Sequence, residues 1–180
     1  MKKIFAFLVF VLIIGGAALL LLKPSKYDFK AYSPSGEVSL QSFEGKYKAI
    51  YFGYLFCPDV CPTTLSLVGD VLTKLDRNDF ELIFITLDPK RDKPEDLTMM
   101  AKNFYKDATG LKLLDIDKVT ANYGVKFKEI PMPNSEMFYT VAHSSSIYLI
   151  DKNGKFYSEI SNLTTENIKE NILNLIKERP

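Results

Sequence analysis

Hydrophobic positions follow three patterns along the chain. Ile4 to Leu22 is a run of 19 residues with no charged side chain, preceded by Lys2 and Lys3. At about 1.5 Å per helical residue it spans roughly 28 Å, close to the hydrocarbon thickness of a bilayer. Lys48 to Leu55 and Glu81 to Leu87 are short, near-continuous apolar runs, the pattern of strands covered on both faces. Pro62 to Leu75 places Leu65, Val68, Val71, Leu72 and Leu75 on one helical stripe. Thr164 to Lys177 does the same with Ile168, Ile172, Leu175 and Ile176, behind a cap at Thr164 or Thr165.

Weaker signals fill the intervals. Gly36 to Leu40 reads as a short strand. Pro94 to Tyr105 reads as a helix with proline in its first turn. Asp117 to Tyr123 is a shorter helix closed by Gly124, Val125 to Ile130 is extended, and Pro131 to Tyr139 is a loop. Ser145 to Ile150 and Lys155 to Ile160 flank Asp151-Lys152-Asn153-Gly154, a hairpin signature. The element order predicts an α/β fold: a mixed central sheet flanked by helices on both faces, in a thioredoxin-like layout. The expected organisation is a membrane anchor over residues 1–23, a polar tether over 24–35, and one domain over 36–180.

The N-terminal run admits two readings, a cleaved signal peptide and a retained transmembrane helix. Gly16-Ala17-Ala18 offers a small-residue cleavage site, but Leu19 to Leu22 carry the apolar run past it, which favours the anchor. Lys2, Lys3 and the α-amino group face Lys23 and Lys26 across the span. The balance leans toward a cytoplasmic N-terminus and a domain on the outer side. Charge adds an exclusion. With 23 basic and 22 acidic residues among 180, the net charge is +1. No basic field exists to attract a nucleic-acid backbone.

The candidate chemistry lies in two cysteines and one histidine, the only ones in the chain. Cys57-Pro58-Asp59-Val60-Cys61-Pro62 stands where the first long strand turns into a helix. Residues at i and i+4 share a helical face, and a helix N-terminus favours the thiolate, so two acidified thiols are expected side by side. A purely structural disulfide is disfavoured: closing so small a loop removes little entropy from the unfolded chain. Thiol–disulfide exchange and metal binding remain. The three-residue spacing is not that of thioredoxins, and no Trp precedes Cys57. Tyr54 occupies the position where a peroxidatic cysteine would have Thr or Ser, and a Trp-dependent peroxidase site is impossible in a chain without Trp. His143 lies near the start of the Ser145–Ile150 strand, beside the cysteine turn in this layout. Two thiolates and an imidazole form a three-coordinate set suited to Cu(I) and able to hold Cu(II).

Tyr51-Phe52-Gly53-Tyr54, the Cys57–Pro62 turn, Asp88-Pro89-Lys90-Arg91-Asp92 and His143-Ser144 occur in this order. With them the chain closely resembles the Sco/SenC copper proteins that assist cytochrome oxidase assembly. That resemblance implies a thioredoxin-like fold and copper ligands at Cys57, Cys61 and His143. It also implies a location in the periplasm at a bacterial inner membrane, with the mitochondrial inner membrane as the lesser alternative. The implied partner is the oxidase subunit that carries the copper site. The implied role is copper delivery as a metallochaperone, with thiol–disulfide reduction of that site's cysteines by the Cys57–Cys61 pair as the alternative. A metal-free redox-sensing module is a third reading. One departure is Ala142, where the family commonly has an acidic residue. Asp88 is either a neighbour of the cysteine turn or a turn former before Pro89. Arg91 and Asp92 pair locally or face a partner. Met132 and Met137 are loop hydrophobes or transient soft contacts to copper.

Overall fold

The computed structural model describes residues 25–57 and 59–180. The expected membrane anchor, residues 1–23, lies outside the described residues. Among the described residues no helix is long and apolar enough to cross a membrane.

The centre of the molecule is set by the two most apolar runs. β3 (Tyr47–Gly53) and β4 (Phe80–Thr86) are buried at every position and pair in parallel from Tyr47–Phe80 to Gly53–Thr86. Strands buried on both faces lose the alternation of a half-exposed sheet and read as continuous hydrophobic segments. Around them, β1 (Lys30–Ser33), β2 (Gly36–Ser39), β5 (Ala108–Leu113), β8 (Ile147–Ile150) and β9 (Phe156–Ile160) complete a seven-stranded sheet of order β2-β1-β5-β4-β3-β8-β9. β3, β4 and β5 are parallel, while β1, β8 and β9 run antiparallel to their neighbours. This is the mixed, thioredoxin-like sheet expected from the element order.

The helices are α1 (Val60–Lys74), α2 (Pro94–Lys102), α3 (Ile116–Tyr123) and α4 (Thr165–Glu178). α1 packs beside α4, on the sheet face to which Gly53 points. α3 covers the opposite face, where the Tyr123 ring meets Phe52 and Tyr148 at 5.3 Å each. Thr164 caps α4 by accepting a hydrogen bond from Asn167 N. Lys48 is fully buried in β3, and its ammonium donates to the carbonyls of Asp151 (2.9 Å) and Lys152 (3.2 Å), closing the β8–β9 turn. Apart from the main sheet stands a two-stranded ribbon of β6 (Phe127–Pro131) and β7 (Tyr139–His143).

Three elements depart from expectation. β1 lies inside the stretch read as a tether, and its alternate residues Ala31 and Ser33 are buried. The ordered sheet therefore begins before residue 36, because the period-two alternation of Lys30–Ser33 suffices for a strand once β2 and β5 flank it. β5 was not expected from the pattern. The third is β7: the loop expected over Pro131 to Tyr139 ends at Tyr139, where a strand begins and runs to His143.

Candidate metal centre

The site is assembled where β3 ends. Tyr54 to Cys57 leave the sheet, and α1 begins at Val60, so Cys61 falls in its first turn. Cys61 is completely buried and Cys57 half-buried; both are free thiols. The backbone N–H of Cys61 donates to Cys57 Sγ at 3.4 Å, one of the otherwise unpaired donors of the helix start. Below the pair, Gly53 permits the approach. A Cβ at this position would stand 2.7 Å from Cys61 Sγ and 2.9 Å from the Phe84 ring.

His143 is the last residue of β7, opposite Phe127 in the ribbon. It is thus held by a strand pairing and not by a lead-in to the β8 strand. Its Nδ1 lies 3.0 Å from the carbonyl oxygen of Ser144. A carbonyl only accepts, so Nδ1 carries the proton and Nε2 keeps its lone pair. That Nε2 faces Cys61 Sγ at 3.7 Å, across 82 residues of sequence. A metal ion with bonds of about 2.1–2.3 Å to nitrogen and sulfur can bridge such a spacing. The donor atoms of Cys57, Cys61 and His143 all lie within 4.8 Å of one another. Tyr51 and Tyr54 set their rings edge-on to the imidazole, at 6.4 and 6.0 Å, and Tyr54 is tied to the ribbon by a 2.8 Å hydrogen bond to Thr140 Oγ1. Cys57, His143, Tyr54, Val60 and Ala142 help line a cleft of about 330 Å³.

Electrostatics correct one expectation. Burial pushes the Cys61 thiol up to about 12, with a further upward contribution from Cys57. Position at a helix N-terminus does not acidify it, because the cost of a buried thiolate exceeds what helix-end N–H groups return. A buried cysteine with this preference is neutral until a cation neutralises the sulfur. The Tyr51 hydroxyl donates to Cys61 Sγ at 3.7 Å, and burial also raises the pKa of Tyr51. His143 is lowered by burial, against the opposing effect of the Ser144 carbonyl, so the imidazole is held in the neutral form that a ligand requires.

The remaining candidates fall elsewhere. The Asp88 carboxylate receives Arg91 Nε and, at 2.8 Å, the Tyr139 hydroxyl; it faces the ribbon and not the thiols. Arg91 donates to the carbonyls of Met137 (3.0 Å) and Tyr139 (3.1 Å), so it pairs within the chain. Asp92 is buried. Met132 and Met137 sit at the ribbon turn, beyond the Pro131–Tyr139 pair and at the opposite end from His143. Ala142 is exposed beside the imidazole. Tyr51 and Gly53 both touch the Cys61 sulfur, a role that the motif by itself does not assign to them. Their signal was their place at the end of the buried strand leading to the thiols, where a small residue and a hydroxyl would both touch sulfur.

The described geometry matches known proteins along most of the chain. The family model for SCO1/SenC matches residues 22–177. An SCO2-like protein of Rickettsia prowazekii is 37% identical over 142 residues, covering 74% of this chain and 69% of that protein. Mitochondrial protein SCO2 of Saccharomyces cerevisiae is 33% identical over 144 residues, covering 73% of this chain and 47% of that one. Among solved structures, Bradyrhizobium japonicum ScoI with copper bound is similar at a TM-score of 0.69 and 33% identity, covering 82% of this chain and 97% of that one. Yeast Sco1 with copper bound is similar at a TM-score of 0.72 and 29% identity, covering 83% and 87%. The family match spans the sheet, both cysteines and the histidine, and the chain belongs to the SCO1/SenC family.

Proposed function

We propose that this chain is a copper metallochaperone that binds one copper ion through Cys57, Cys61 and His143 and assists assembly of the copper site of cytochrome c oxidase. The observation that carries the reading is the neutral His143 with its free Nε2 lone pair 3.7 Å from Cys61 Sγ and the Cys57 sulfur close by. Two sulfurs and one imidazole suit copper, and solved relatives of the same fold hold it. The residues act as follows. Cys57 and Cys61 lose their protons on metal uptake, His143 offers Nε2, and the Tyr51 hydroxyl donates to the buried sulfur. Delivery proceeds by ligand exchange, with the acceptor's side chains displacing those of this chain in turn. The partner is the oxidase subunit that carries the copper site. The N-terminal run anchors the chain with its domain on the periplasmic side of a bacterial inner membrane.

Anaerobic copper titration tests this. Wild type is expected to take up one equivalent tightly and His143→Ala to lose most of that affinity. Equal, tight binding by both would remove His143 from the ligand set.

A second reading has its own support. Cys57 is half-exposed and Cys61 buried, the asymmetry of an attacking and a resolving thiol. The Cys57 thiolate would attack a partner disulfide and release one partner thiolate. Cys61 would then pass its proton to the released partner thiolate, attack the Cys57 sulfur and release the other, leaving this chain oxidised and the partner reduced by two electrons. Survival of disulfide reduction in His143→Ala, with copper binding lost, would favour this use of the pair.

A further inference from the structure

The two halves of the ligand set belong to different parts of the fold, and one short turn touches both. Asp88 to Asp92 follows the end of β4. Asp92 is 2% exposed, and a single oxygen, Oδ2, accepts from Thr86 Oγ1 at 2.6 Å and from the backbone N–H of Leu55 at 3.1 Å. Leu55 stands two residues before Cys57. The other side of the turn reaches the ribbon. Arg91 donates to the carbonyls of Met137 and Tyr139, its guanidinium lies 3.7 Å from the centre of the Tyr139 ring, and Asp88 receives both Arg91 and the Tyr139 hydroxyl. The same guanidinium lies 5.2 Å from the Phe56 ring, next to Cys57.

Asp92 Oδ1 and Arg91 Nη2 are buried without a hydrogen-bond partner among the described residues. What ties these side chains into the fold is the set of bonds made by their other atoms. Those bonds run to the cysteine loop and to the His143 ribbon.

We infer that the Asp88–Asp92 turn positions the two halves of the ligand set against each other, Asp92 fixing the cysteine loop through Leu55 and Arg91 fixing the His143 ribbon through Met137 and Tyr139. Both are positioning residues; neither is placed among the ligands. The inference rests on the three-ligand reading for its consequence, but its geometry can be tested without metal.

Two metal-free readouts separate the two arms in the full-length chain. One is the equilibrium constant of the Cys57–Cys61 disulfide against a dithiol buffer. The other is the ring NMR signals of His143, the only histidine. Asp92→Ala is expected to shift the disulfide constant by about tenfold, as a lost buried bond would. Asp92→Asn is expected to restore it to within about threefold, because one amide oxygen can accept both bonds that Oδ2 accepts now. Arg91→Lys keeps the charge but loses the paired donors. It is expected to move the His143 signals and to shift the disulfide constant less than Asp92→Ala does, since Arg91 reaches the cysteine loop only through the Phe56 ring. With Cu(I), Asp92→Ala and Arg91→Lys are each expected to lose about tenfold in affinity, as for other residues that orient ligands.

The inference is overturned if Asp92→Ala folds and leaves the disulfide constant unchanged, if Asp92→Asn fails to restore it, or if Arg91→Lys leaves the His143 signals where they are in wild type. Should Asp92→Ala not fold, the Arg91→Lys result decides by itself. If wild type takes up no copper, the proposed function fails while these readouts still judge the turn.

Discussion

The cysteine loop and the β6–β7 ribbon hold opposite ends of one site by opposite means. Cys61 sits on the deepest part of the molecule, against Tyr51, Gly53 and Phe84 and with no exposure. His143 comes from a ribbon outside the main sheet, whose β6 is half-buried at Phe127 and exposed at every later position. Packing confines the sulfur; a two-strand ladder and a few side-chain bonds confine the imidazole. An isolated pair of strands is marginal in water, so the ribbon depends on what it touches. Under the proposed chaperone role, the rigid half keeps the donor pair in place, and the more exposed ribbon half is the part expected to open at least cost.

The largest test of that comparison removes the rigid half. Cys57→Ser and Cys61→Ser are each expected to abolish stoichiometric Cu(I) uptake in an anaerobic titration; retention by either would mean that the sulfurs are not the main donors. His143→Ala is next. Its expected loss is at least the roughly 10–100-fold that follows removal of a group merely orienting a ligand. Its unfolding free energy should fall by no more than about 1 kcal/mol, since only the edge-on contacts with Tyr51 and Tyr54 and the bond to the Ser144 carbonyl are lost. A large drop in stability would instead make the ribbon part of the rigid framework. Gly53→Ala reverses the pattern: forcing a methyl group to 2.7 Å from Cys61 Sγ should cost about 1–3 kcal/mol in denaturant unfolding. An unchanged midpoint would show that the floor of the site yields.

The last test concerns the sheet alone. Burial lowers the Lys48 ammonium to about 8 from an ordinary 10.5, against the opposing charge of Asp151. Between those values the unfolded chain binds the proton more than the folded one does, so the sheet gains stability as pH rises through that window. Urea midpoints for wild type and Lys48→Met should diverge in slope there, with the variant flatter. Parallel slopes would mean that the two turn carbonyls compensate the buried charge fully.

Legibility in the sequence followed the same division. β3, β4, α1 and α4 were readable because deep burial leaves long apolar runs or stripes, as in Phe80–Thr86 and at Ile168, Ile172 and Leu175. β5, Ala-Thr-Gly-Leu-Lys-Leu, was not. Gly110 weakens a strand signal, yet a Cβ there would lie 2.3 Å from that of Leu97, so close helix packing demands the residue that hides the strand. β7 carries only one fully buried side chain, Val141, and so lacked the pattern that marks a strand. The candidate ligands were legible because Cys and His are rare in this chain. Their protonation was not, because the spacing of Cys57 and Cys61 reports the helix start but not the burial that raises Cys61.

The sequence separation of 82 from Cys61 to His143 also orders events in time. A chain made from its N-terminus presents both thiols well before the imidazole exists, and the imidazole reaches them only once the ribbon has formed. During that interval the sulfurs are open to oxidation or to a two-coordinate catch, but the three-donor arrangement cannot yet form. An ion held by all three groups is therefore held by a chain whose ribbon has already formed, while β8, β9 and α4 still follow His143 in the sequence.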